Sequence, residues 1–157
     1  MFDFVTYMRT LHGKLKATKT AYTFARVSGT NELEEVLENT RRKTRYFVVD
    51  DSQDGITFRG AGGSFFERRA YTIYLLVQTT TGNMDARETI LSEARGIFRS
   101  LMSRLIKDKL TIPVVDFERV AFWEVPPTFG NGSCGIYFTF YVQNPVDLRY
   151  DGAAWTD

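Results

Sequence analysis

The sequence predicts an α+β fold: a mixed, mainly antiparallel sheet of about four to five strands, packed against one long helix plus short N-terminal helices. Three observations carry this. Residues 84–109 repeat apolar side chains by threes and fours, the spacing of one helix face. Residues 69–78 (RAYTIYLLVQ) are apolar on both faces of a two-residue alternation, as expected of a strand with neighbours on either side. Residues 117–125 and 134–143 are β-prone and joined by the turn-rich PPTFGNGS, which predicts an antiparallel hairpin.

The elements follow in order. Over residues 2–17, Phe4, Val5, Met8, Leu11 and Leu15 share one helical face, and Gly13 weakens the helix by about 1 kcal/mol relative to alanine. Residues 21–27 suit a strand, and Ser28-Gly29 turns the chain. Thr30 or Asn31 can cap a helix over NELEEVLENT, whose early glutamates complement the positive end of the helix dipole and whose Leu33, Val36 and Leu37 form the apolar face. Tyr46–Val49 is a compact β-prone run, followed by DDSQDG with the composition of an acidic hairpin turn. Gly60–Ser64 is a glycine-rich turn or loop. In the next strand Tyr71, Ile73, Leu75 and Val77 point one way and Thr72, Tyr74 and Leu76 the other. Asn83 can cap the long helix, whose stripe is Leu91, Ala94, Ile97, Phe98, Leu101, Met102 and Leu105. Pro113 ends the helical region. In the last strand Cys134, Ile136, Phe138, Phe140 and Val142 alternate with a more polar set. From about residue 145 the chain is expected to be a polar, extended tail. No repeat or linker interrupts residues 1–157, which suit one domain.

Composition narrows the function. Charged residues make up 25% of the chain and the net charge is +1, so there is no global electrostatic footprint for nucleic acid or an anionic membrane. The start MFDFVTYMRTLHGKLK lacks the features of a signal peptide, and no apolar stretch reaches the roughly 18 residues of a membrane span. A protein that stays soluble in a cytoplasm, without membrane contact, is expected. The single cysteine excludes an intrachain disulfide and a cysteine-based zinc site. Aromatics reach 15%, with 13 Phe and 8 Tyr, enough to fill a core and also to furnish subunit contacts.

Each candidate for chemistry lacks a required part. Asp50, Ser52, Asp54 and Gly55 match the first half of an EF-hand loop, but Ala61 stands where a bidentate Glu is needed and a strand precedes it. GAGGS lacks the Gly-Lys-Ser/Thr ending of a phosphate loop. His12 has no evident carboxylate partner, and Cys134 falls on the apolar face of a strand. No catalytic, cofactor or metal site is expected, and no cofactor. Two surfaces suit binding. Arg59, Phe65, Phe66, Arg68 and Arg69 flank the glycine loop, and arginine with aromatics is the composition of interface hot spots. Arg41, Arg42, Lys43 and Arg45 form the densest basic cluster, able to contact phosphates or simply to lie solvated at a helix end.

The order of elements, with RYFVVDD, ERRAYTIYLLVQ, MDARETILSEARGIFRSLMSRLI, VDFERVAFWEV and GIYFTFYVQ, resembles the small tail-terminator and head-tail joining (neck) proteins of tailed bacteriophages and related prophages. The likeness covers roughly residues 1–145 through layout and texture. It implies a virion protein without catalytic residues, assembled in the host bacterial cytoplasm as a homo-oligomeric ring, commonly of six subunits. Implied partners are further copies of the chain and tail-tube or head-tail connector proteins, with transient proximity to DNA. The glycine-rich loop and the long hairpin, including Phe129 in PPTFGNGS, become candidate contacts. Residues 21–40 are an extra segment relative to that layout. The competing expectation is a nucleic-acid-binding module using the basic cluster.

Overall fold

The computed structural model describes residues 2–39, 44–51, 54–79, 83–126 and 132–156. Asp3 opens α1 (Phe4–Lys14), its carboxylate accepting hydrogen bonds from the Thr6 amide (3.0 Å) and hydroxyl (2.6 Å). The expected helix over residues 2–17 is two helices, because Leu15 turns extended (ψ 119°) before a single turn, α2 (Lys16–Lys19). Buried Thr18 holds this corner: its hydroxyl donates to the carbonyl oxygens of His12 (2.8 Å) and Leu15 (3.2 Å).

Next come β1 (Thr23–Val27), α3 (Thr30–Asn39) and β2 (Arg45–Asp50). β1 and β2 pair in parallel, so residues 23–50 form a β-α-β unit. β3 (Gly55–Arg59) and β4 (Phe65–Gln78) are antiparallel, joined by the glycine turn. The Gly60 amide donates to the Ser64 carbonyl (2.8 Å) there, and Gly63 takes φ +84°, a conformation that favours glycine. α4 (Met84–Asp108) is capped by Asn83, whose side chain accepts from the Ala86 amide (3.0 Å). Then follow β5 (Val114–Val115), β6 (Phe122–Glu124) and β7 (Ser133–Val146).

Among the described residues the sheet has seven strands rather than four to five. The backbone order is β1-β2-β4-β7-β5, with β3 also on β4 and β6 also on β7. The undercount has a geometric cause: β4 and β7, each 14 residues long, are each flanked by two short strands lying end to end. β2 takes residues 72–77 of β4 and β3 takes residues 65–69. β2 and β3 thus run in the same direction along one edge of β4 and do not pair with each other as a hairpin; Ser52 and Gln53 of DDSQDG lie outside the described residues. The strand expected over residues 117–125 shrinks to three residues, because Asp116 adopts φ +56° and turns the chain directly after β5. As expected, the segment pairs antiparallel with the last strand.

The two faces of the sheet are covered differently. α1 and α4 pack on one face, where Phe4, Met8, Leu91, Ile97, Leu101 and Leu105 meet Phe47, Ile73, Leu75, Ile136, Phe138 and Phe140. This is the stripe expected of α4, with Ile90 added and Met102 partly buried. On the opposite face α3 buries Leu33 and Leu37 against Val27, Tyr46, Val48 and Leu76. β4 thus has apolar partners on both faces and a strand on either side, the central position that its sequence predicts. Among the described residues no helix is long and apolar enough to cross a membrane.

Candidate interaction surface

α3 covers only one end of its face. Beyond it the strand registers place side chains in successive rows across β3, β4, β7, β5 and β6. Tyr74, Tyr137 and Trp123 form the first row as a stack, with ring centroids 5.5 and 5.4 Å apart. Thr72 and Thr139 follow, their hydroxyls 3.0 Å apart. Ala70, Tyr141 and Val115 make the third row, Arg68, Gln143 and Ile56 the fourth, and Phe66, Pro145 and Phe58 the last. Trp123 is 49% exposed, Tyr141 41% and Ile56 59%, so this largely apolar strip faces outward. Burial and the nearby Asp50 carboxylate raise the pKa of Tyr74 above the ordinary phenol value, which keeps its edge of the stack neutral.

The expected partner-contact residues lie at the far end of this strip, and strand alternation divides them between two faces. Phe65–Arg68 extend the strand predicted from Arg69, so that β4 begins at Phe65. Phe66 and Arg68 share the strip's face with Phe58. The Phe58 and Phe66 rings stack at 6.0 Å, and the Arg68 guanidinium lies 5.3 Å from the Phe58 centroid. Arg68 also donates to Asp116 (3.1 Å) and Gln143 (3.0 Å), while its buried Nε has no acceptor among the described residues. Arg59, Phe65 and Arg69 are on the other face. Arg59 sits over the Phe65 ring (5.9 Å) and donates to the Gly63 carbonyl (3.2 Å); Arg69 leans toward Glu67 (3.6 Å). Phe129, the remaining expected contact, lies outside the described residues.

Of the basic cluster, Arg41, Arg42 and Lys43 also lie outside the described residues. Arg45 is engaged inside the fold. Its guanidinium donates to Glu93 of α4 (2.6 Å), which also accepts from the Tyr22 hydroxyl (3.1 Å). Burial and the adjacent Glu93 carboxylate push the Tyr22 phenol pKa well above its ordinary value.

The residues considered for chemistry have separate structural partners. His12 Nε2 lies 2.8 Å from the Tyr22 carbonyl oxygen and its ring meets Phe24 and Phe47 edge-on. Cys134 is buried, with Sγ 3.9 Å from the Arg87 carbonyl oxygen, and burial raises its thiol pKa. The Asp50 carboxylate accepts from the Gly29 amide (3.1 Å), and Asp51 accepts from the Ser28 hydroxyl (2.5 Å) and pairs with Arg26. These bonds fasten the start of α3 to the end of β2. Among the described residues no three His, Cys, Asp or Glu side chains gather as a metal site.

The segment after β7 differs from a polar tail. Pro145 and Val146 are still strand, paired with Phe66 and Phe65, and beyond them Leu148 (55%), Tyr150 (74%) and Trp155 (65%) are exposed. Sequence reasoning missed these three and Trp123. Their signal was the presence of large apolar residues in stretches otherwise polar or turn-rich. The chain matches no model of a known protein family and no curated protein.

Proposed function

We propose that this protein is a structural subunit of a phage or prophage virion, assembling through repeated contacts between copies into a ring at the tail end or head-tail junction. The observation that carries the assembly part is the strip from Trp123 to Phe58. Folded domains rarely leave a long apolar stretch of sheet face open, and such patches are characteristic of binding surfaces. Here α3 closes one end of the face and leaves five rows of side chains outward, ending in an arginine- and aromatic-rich strand pair. A head-to-tail contact using this strip closes into a ring when the rotation per subunit permits. The place in a virion rests on the resemblance in element order described above.

Mass measurement in solution, with electron microscopy of the particles, tests this reading. A discrete oligomer with ring-shaped particles is expected. A monomer at all concentrations, also absent from purified virions, would sink it. The nucleic-acid reading has less support, because Arg45 is committed to Glu93 and Tyr22.

A further inference from the structure

Residues 147–156 hold their own shape without packing beneath another element. Asp147 and Arg149 form a two-pronged ion pair, with contacts of 3.0 and 2.5 Å. Asp151 accepts from the Ala153 amide (3.0 Å) and starts a single 3-10 turn at residues 152–154. The Tyr150 and Trp155 rings lie nearly parallel, 6.4 Å apart. A short segment ordered in this way loses less conformational freedom on docking than a loose tail would.

The root of this segment forms one wall of an open cleft of about 640 Å³, whose other wall is the glycine turn with Gly63, Ser64 and Phe65. Tyr150 and Trp155 lie outside the cleft lining, although the chain leaves the sheet beside it. Charge is unbalanced at both places. Arg59 touches two cleft residues, the Gly63 carbonyl and the Phe65 ring, but meets no carboxylate among the described residues. The cleft's own carboxylate, Asp147, is taken by Arg149. Asp151 is exposed and has no cation partner among the described residues.

We propose that residues 150–156 form an arm that seats in the cleft beside Gly63 and Phe65 of a second copy of this chain, while residues 147–149 stay in place as a wall of their own cleft. Tyr150 and Trp155 lie against Phe65, Val146 and Leu148 of its lining, and Asp151 meets Arg59 at its edge. The inference rests on the self-assembly reading above and supplies one of its contacts. A second copy is the occupant because the arm's Asp151 and the Arg59 beside the cleft have opposite charge, and the arm's aromatic rings match the cleft's Phe65, Val146 and Leu148, all on the same chain, so one contact repeats around an assembly. Aromatic side chains bury about 150–250 Å² each, against roughly 800 Å² per partner in a stable interface. The arm therefore contributes a large part of the contact, and the open strip is available for the rest.

The test uses full-length variants followed by sedimentation and native mass spectrometry. Tyr150→Ser with Trp155→Ser is expected to raise the subunit dissociation constant by at least about thirtyfold, the effect of losing a hot-spot aromatic, with an unchanged circular dichroism spectrum. Arg59→Asp and Asp151→Arg should each weaken assembly, and combining them should restore it. If the wild-type chain is oligomeric and neither the aromatic pair nor the charge swap alters it, the arm is overturned while the assembly reading stands. If the wild-type chain is monomeric throughout, the assembly reading fails and the arm with it.

Discussion

Gly135 of β7 runs so close to Leu75 of β4 that a β-carbon on it would lie 1.8 Å from the Leu75 carbonyl oxygen. The two central strands meet there with no room for a side chain on that face, one row from the Tyr74–Tyr137 stack. Gly135→Ala must therefore push backbone against backbone, and a loss of at least about 1–3 kcal/mol is expected, the usual cost of overpacking. Gly96, in the interior of α4, has nothing within 4 Å of the same position. Gly96→Ala should stabilise the protein by about 0.5–1 kcal/mol through helix propensity. Urea denaturation of the two variants checks the opposite signs; equal midpoints would contradict the close approach.

The Tyr22–Glu93–Arg45 cluster joins the start of β1, α4 and β2. Glu93→Ala leaves a phenol and a guanidinium without their shared acceptor, which costs about 1–3 kcal/mol when such groups are buried. Side chains of Arg45 and Glu93 are 33% and 34% exposed, so the lower end is expected. A double-mutant cycle of Glu93→Ala with Tyr22→Phe should show positive coupling; strict additivity would mean that the cluster contributes nothing as a unit.

Three phenols are held neutral. Desolvation is the leading cause for Tyr7, Tyr22 and Tyr74, aided by Asp108, Glu93 and Asp50 respectively. A folded pKa raised above the unfolded value of about 10 contributes stability that is fully present below pH 10 and is lost as pH rises through the folded value. Ultraviolet titration should show a late-ionising group of tyrosines coinciding with alkaline unfolding. Replacing all three by Phe should remove that late group.

Asp3 behaves in the opposite sense. Hydrogen bonds from the Thr6 hydroxyl and amide hold its carboxyl below the ordinary Asp range. Its stabilisation of α1 is present above the unfolded pKa of about 3.9 and is lost as pH falls through the folded value. Asp3→Ala should cost about 1 kcal/mol at neutral pH, and the difference from wild type should shrink in acid. A difference that persists below pH 2 would rule out the carboxylate cap as its source.

Elements whose signal is local can be read directly from the residues. The stripe of α4, the two-faced apolarity of β4 and the alternation of β7 are periodic, and α4 and β4 occupy the positions that those periods predict. The arginine-aromatic composition of residues 59–69 was equally legible. Its division between two faces follows from the two-residue period once the strand is extended from Arg69 back to Phe65.

The rest depends on partners distant in the chain and emerges only when the strands are assembled. β2 and β3 share one edge of β4, β1 joins β2 in parallel through α3, and the strand expected over residues 117–125 keeps only β6, because Asp116 turns the chain after β5. Exposure is decided in the same way. Trp123 and Tyr141 have the texture of core residues, and they face outward because α3 is too short and too far along the sheet to cover them. Tyr150 and Trp155 face outward because the chain leaves the sheet at Val146, past the reach of any helix.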